Sequence, residues 1–243
     1  MRHDSVVRTR FTFTIMKNLD DCTELLGHTK ELLTTIQAEY AKAKTTESIV
    51  AIARPKVKTC LEHLRSVLDY IAADLAETLP VKPRRCYFPY GRDQALYQQS
   101  LKRNLPGLND KYAALIEELQ PHACSDSWLV QLASASNFNK HIKLDIQERK
   151  NVDPTLRIGN LVAIGSSAQV GQLIVDGVLV NPTGPLTGNS SVSEVRNLSP
   201  SVPVTKEYAS VRFKFRESGV DVLDLLERSQ TRIFQFVADL EKM

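Results

Sequence analysis

Arg65 and Asp69 stand one helical turn apart in Leu64-Arg-Ser-Val-Leu-Asp-Tyr70, and Asn137, Lys140 and His141 stand together in Asn137-Phe-Asn-Lys-His141. These residue types suffice for acid–base and phosphate chemistry. A histidine, with an ordinary pKa of about 6.5, can give or take a proton at neutral pH. Lys140 or Arg65 could hold a phosphate or stabilise developing negative charge, and Asp69 could orient the imidazole. The five form the candidate catalytic set. A structural role is the alternative for the same residues. Asp69 would pair with Arg65 or Lys140 and tie two helices together, while Asn137 and His141 would satisfy backbone groups at a helix end.

A second series is basic and aromatic. Arg84, Arg85, Arg92, Lys102 and Arg103 are interleaved with Tyr87, Phe88, Tyr90 and Tyr97. Arginine and tyrosine together can neutralise and stack single-stranded nucleic acid, so these five cations are the candidate nucleic-acid contacts. The alternative is a solvated loop whose aromatics cover a helical bundle. His63 reads as a surface or interface residue. No group of Cys, His, Asp and Glu has metal-ligand spacing, and no phosphate-cradling glycine loop or nucleophile elbow is present, so no metal and no cofactor is expected. Cys22, Cys60, Cys86 and Cys124 are widely spaced, without a C-x-x-C, and read as free thiols in a reducing compartment.

These side chains need elements to position them. Leu61, Leu64, Leu68, Ile71 and Leu75 recur at steps of three and four, which predicts a helix over 57–79, led in by Pro55 and closed by Pro80, around which the chain is organised. Arg65 and Asp69 fall on the edge of its apolar stripe, and Ala72 and Ala76 continue that edge as a place of close approach. Strict alternation over 5–16 predicts a half-buried strand. Asn18 reads as the N-cap of a helix reaching about Lys42, with Asp20 and Asp21 in its first turn. Ser48 to Arg54 reads as a short strand, because Pro55 disfavours a helical Arg54. Helices follow over 93–103, from an Asn109 cap to Pro121, and from Ser125 or Ser127 through Trp128, Leu129, Leu132 and Ala135. The period changes near Asn137, so that Asn137–His141 would straddle a helix end and a strand at about 141–148. Further alternating runs at 156–164, 172–180 and 208–216 predict strands. Residues 181–206, rich in Ser, Pro, Gly and Asn, read as an exposed loop between two strands of one sheet. Ser218 or Asp221 opens a last helix with Val222, Leu226, Ile233, Phe236, Val237 and Leu240 inward.

Composition narrows the class. A chain of 243 residues with 42% hydrophobic and 24% charged content is ordinary for a globular protein and long enough to bury a core. A net charge of +3 permits an acidic partner without arguing for one. No apolar run approaches the roughly 18 residues of a membrane span, and the N-terminus lacks the apolar core of a signal peptide. The expectation is a cytoplasmic protein with no membrane partner.

Four landmarks stand in order: Leu64-Arg-Ser-Val-Leu-Asp69, Phe88-Pro89, Leu119-Gln-Pro121, and Trp128-Leu followed by Asn137-x-Asn-Lys-His141. The order resembles a set of uncharacterised bacterial and phage proteins that is distantly similar to the HEPN superfamily of helical domains. The resemblance covers about residues 50–150. It implies a helical bundle that binds or acts on RNA or nucleotides in a defence or toxin–antitoxin system, with a second copy of the chain or a cognate protein as partner. Nuclease members carry an Arg followed four to six residues later by a His. This chain departs from that pattern, since none of His3, His28, His63, His122 and His141 has such an Arg. A ribonuclease therefore stays open beside a non-catalytic interaction or dimerisation module whose polar cluster is structural.

The expected fold is α+β. A helical bundle on residues 18–150 packs with a mostly antiparallel sheet and a C-terminal helix docks back, giving a single domain over 1–243 with a strand-rich part at 151–243.

Overall fold

In the computed structural model, residues 17–159, 162–175, 177–179, 184–193, 195 and 202–243 are described. The expected strand at 5–16, and its pairing with 207–216, lie outside them. Helices α1 (Leu19–Ala43), α2 (Arg54–Glu77), α3 (Gln94–Asn104), α4 (Asp110–Glu117), α5 (Pro121–Cys124) and α6 (Trp128–His141) come first. Strands β1 (Gln147–Ile158), β2 (Val162–Ile164), β3 (Gln169–Val170), β4 (Ile174–Val175), β5 (Val178–Leu179), β6 (Leu186–Thr187) and β7 (Val204–Phe215) follow, and helix α7 (Val222–Glu241) closes the chain. The fold is α+β, as the periodicities predict.

Helix α2 is the centre. Leu61, Leu64, Leu68, Ile71 and Leu75 are each 0% exposed. Val57, Cys60, Val67, Ala72 and Ala76 are buried as well. Burial spreads beyond one stripe because α1, α6 and α7 all pack on α2. Each fully buried leucine contributes about 1.5–3 kcal/mol relative to exposure. Pro55 lies in the first turn, where no N–H is needed. The predicted inward residues of α7 are all buried, and Asp221 caps that helix by accepting from the Asp224 N–H at 3.1 Å.

Two predicted caps work differently. Asn18 precedes α1, but its backbone N–H and its side-chain amide both donate to the Asp74 carboxylate on α2, at 3.0 and 2.7 Å. At the start of α6 it is Asp126, not a serine, that accepts the Trp128 N–H at 3.0 Å.

Residues 48–54 form no strand. The Gln147 side chain accepts the Ile52 N–H at 2.6 Å and donates to the Ile52 carbonyl at 3.0 Å, which replaces a strand partner. The Arg149 guanidinium takes the carbonyls of Ala43, Thr46, Glu47 and Ile49, closing the end of α1 and the loop after it.

The expected strand at 141–148 is also corrected. Helix α6 continues through His141, a link follows, and β1 starts at Gln147. Ile142, Leu144 and Ile146 alternate with Lys143, Asp145 and Gln147, a strand pattern, yet Ile142 is 68% exposed while Asp145 and Gln147 are buried. Side chains meet the link's backbone instead. Asn139 accepts the Asp145 N–H at 3.0 Å, and Arg54 donates to the carbonyls of Asp145 and Leu144.

Strands β1 and β7 form a long antiparallel ribbon, with β2 on the far edge of β1. The predicted strand 156–164 therefore holds the end of β1 and all of β2, which pair antiparallel. The predicted strand 172–180 is two short strands, β4 and β5, paired with each other. The described residues of 181–206 are more than an exposed loop. Within them β6 pairs with β3, and Leu186, Val195 and Val202 are buried.

Along β7 the buried positions change parity. Val211, Phe213 and Phe215 join the helical core, whereas Val204 joins a second cluster with Leu156, Ile158, Ile164 and Leu186. Successive strand residues point to opposite faces. The change coincides with Asp153, at φ 47°, and Pro154 on the paired strand.

Candidate functional site

The loop 86–91, after α2, has no regular structure, so its backbone needs side-chain partners. It finds one for every amide from 87 to 91, Pro89 having none to offer. Asn104 accepts the Tyr87 N–H at 3.3 Å, Asp69 the Phe88 N–H at 2.9 Å, Ser100 the Tyr90 N–H at 3.3 Å and Gln120 the Gly91 N–H at 3.2 Å. The Gln120 amide also donates to the Pro89 carbonyl at 3.3 Å and to the Ile116 carbonyl at 3.1 Å. Cys86 donates to the carbonyls of Ala72 and Asn104 at 3.3 and 3.4 Å. Phe88, 1% exposed, packs edge-on against Phe236 of α7 with centroids 5.6 Å apart. Gly91 leaves no room for a side chain, since a Cβ there would lie 2.2 Å from the Tyr97 nitrogen at the start of α3.

This clamped loop is one wall of a cleft of about 830 Å³. Helix α2 contributes Arg65 and Asp69, α3 contributes Gln99 and Arg103, and α6 contributes Asn137, Lys140 and His141. All five candidate catalytic residues therefore line one cleft, with Arg92 and Arg103 from the basic series and the rings of Tyr87 and Tyr90. Arg84, Arg85 and Lys102 do not line it. Lys102 faces another cavity of about 730 Å³ between α3 and α4, beside Asp110 and Glu117.

Within the cleft Arg65 and Asp69 form an ion pair at 3.2 Å, with the Arg65 side chain 14% exposed. The Arg65 guanidinium carbon lies 5.1 Å from the centre of the Tyr90 ring, a cation–π arrangement. Asp69 Oδ1 receives both Arg65 and the Phe88 N–H. It makes no hydrogen bond to His141, so the suggested Asp69–imidazole orientation is not formed. Asn137, Lys140 and His141 sit exposed on the last turn of α6. Near that helix end it is Asn139, rather than Asn137, that bonds the backbone: its amide donates to the Ala135 carbonyl at 2.8 Å and its oxygen accepts the Asp145 N–H of the following link at 3.0 Å.

The electrostatic balance is positive. Of the lining residues Asp69 is the one carboxylate, set against Arg65, Arg92, Arg103 and Lys140. Burial, and after it the negative Asp69, push the Cys86 thiol up to about 11, so it is protonated at neutral pH and is no thiolate nucleophile. Among the described residues no group of three or more His, Cys, Asp and Glu is placed to hold a metal ion, and no helix is long and apolar enough to cross a membrane.

Sequence reasoning missed Ser100, Asn104 and Gln120. They are polar residues at buried positions, 9%, 5% and 0% exposed, beside a loop that needs acceptors. That coincidence was the available signal.

Comparison with protein-family models, with curated proteins and with solved structures gives no match.

Proposed function

We propose that the cleft between α2, the 86–91 loop, α3 and α6 binds RNA or a nucleotide. The observation that carries this reading is the convergence of Arg65, Arg92, Arg103 and Lys140 with the rings of Tyr87 and Tyr90 around one cleft holding a single carboxylate. Cations supply phosphate affinity, and exposed aromatic faces stack on bases of any identity. A volume of about 830 Å³ falls within the roughly 300–1,000 Å³ of ligand clefts. The setting, a bacterial or phage defence or toxin–antitoxin system, and a HEPN-like relationship rest on the four ordered landmarks.

Binding is favoured over cleavage. A general base works best with a partner that fixes its tautomer and direction. His141 has no hydrogen bond to Asp69, whose Oδ1 is shared by Arg65 and Phe88. The same two contacts give a second reading its support. Asp69 ties α2 to the loop, which is what an interaction module with a structural polar cluster would show.

His141→Ala separates these readings when melting temperature and binding of a mixed RNA pool and of ATP are measured on one sample. Because His141 is exposed at the end of α6, the binding reading predicts an unchanged melting temperature and affinity lowered about three- to tenfold, the loss of one stacking or polar contact. Absence of RNA and ATP binding by the unmutated protein, with His141→Ala less stable, would establish the structural reading instead.

A further inference from the structure

Arg65 differs from the other cations of the cleft. Arg92, Arg103 and Lys140 are exposed and have no ion pair among the described residues. Arg65 is held on two sides, by Asp69 at 3.2 Å and by the Tyr90 ring at 5.1 Å. Asp69 is in turn fixed by the Phe88 N–H at 2.9 Å. Yet Arg65 Nη1 is buried and has no hydrogen-bond acceptor among the described residues. A buried guanidinium N–H without an acceptor is disfavoured and is rare unless a further group completes it.

Resting on the proposal that the cleft takes RNA or a nucleotide, we infer that Arg65 is the residue that recognises a phosphate group there. Its planar fork makes one donor available to Asp69 and another to a phosphate oxygen. The guanidinium turns Nη1, buried in the unliganded cleft, toward the phosphate, while the exposed cations add attraction without fixed geometry. Asp69 is a positioning residue that acts through Arg65, and Tyr90 positions the guanidinium besides lining the cleft. A lysine at position 65 would keep the charge and lose the fork, because a compact ammonium on a flexible stem does not hold a carboxylate and a phosphate in one plane.

The phosphate can belong to an RNA backbone, to the phosphate chain of a nucleotide, or to the free anion. The test titrates a labelled 12-nucleotide single-stranded RNA, ATP and inorganic phosphate into the unmutated protein, Arg65→Lys and Tyr90→Leu, with melting temperatures alongside. The probe that binds identifies the source. Arg65→Lys should weaken every bound probe about tenfold, and Tyr90→Leu about threefold, the loss of a geometric constraint at constant charge. Should Arg65→Lys not fold, Tyr90→Leu carries the test. Retention of unmutated affinity by whichever variant folds would overturn the role of Arg65 and leave the cleft's proposed function standing. An unmutated protein that binds none of the three probes would overturn both.

Discussion

At the scale of single residues, the polar groups around loop 86–91 act as a clamp. Gln120 is 0% exposed and spends its amide on Gly91, Pro89 and Ile116. Gln120→Ala leaves a buried N–H and a buried carbonyl without partners, so it should lower stability by about 1–3 kcal/mol, measured by denaturant unfolding. An unchanged midpoint would mean that water replaces the clamp. A second residue-scale expectation concerns pH. Burial first, then the neighbouring His28 ring 5.0 Å away, hold the His63 imidazole below its ordinary value, against a smaller opposing effect of Glu62. The unfolded imidazole binds its proton near pH 6.5. As pH falls through that value the unfolded state takes up protons before the folded state does, so stability is lost on acidification until the lower folded-state value is passed. Melting temperatures from pH 8 down to 5 should fall less steeply for His63→Gln than for the unmutated protein. Parallel curves would remove His63 from the account.

At the scale of elements, α2 tests the core. Leu68 is 0% exposed in the middle of its stripe. Leu68→Ala should therefore cost on the order of 2–5 kcal/mol, and a loss below about half a kcal/mol would mean that the stripe is not the core. This helix was legible because leucines at steps of three and four admit one reading. The segments around it were less so. Residues 48–54 looked like a strand from Ile49, Val50 and Ile52, but Ile52's backbone pairs with a side chain 95 residues away. No local pattern reports that. In 142–147 the alternation was real and its sense inverted, because Asn139 and Arg54 draw the link's backbone inward and take Asp145 with it. Burial also raises the pKa of Asp145, the expected cost of placing a carboxylate there.

At the scale of the whole molecule, the four landmarks picked out along the chain meet at one place. Asp69 and Gln120 hold the Phe88-Pro89 loop, and Asn137, Lys140 and His141 face it across the cleft. That these residues come together was therefore legible from their types and order. Their division of labour was not, because Asp69 looked equally suited to orienting a histidine and to pairing with Arg65 or Lys140, and no pattern in the sequence pointed to the Phe88 amide that it also accepts. A net charge of +3 is too small to mark a nucleic-acid partner; what matters is that four cations of the chain gather on one cleft with one carboxylate. The most direct measurement is the affinity of a labelled single-stranded RNA, by fluorescence anisotropy at several salt concentrations, for the unmutated protein, for the double charge reversal Arg103→Glu with Lys140→Glu, and for Lys30→Glu, an exposed α1 residue that does not line the cleft. Each lost phosphate contact should remove about 0.7 from the salt slope for a single strand, so the double reversal should lower affinity at least tenfold and flatten the slope while Lys30→Glu leaves both unchanged. Equal losses in Lys30→Glu and in the double reversal, or RNA binding untouched by the double reversal, would contradict the assignment of RNA binding to this cleft.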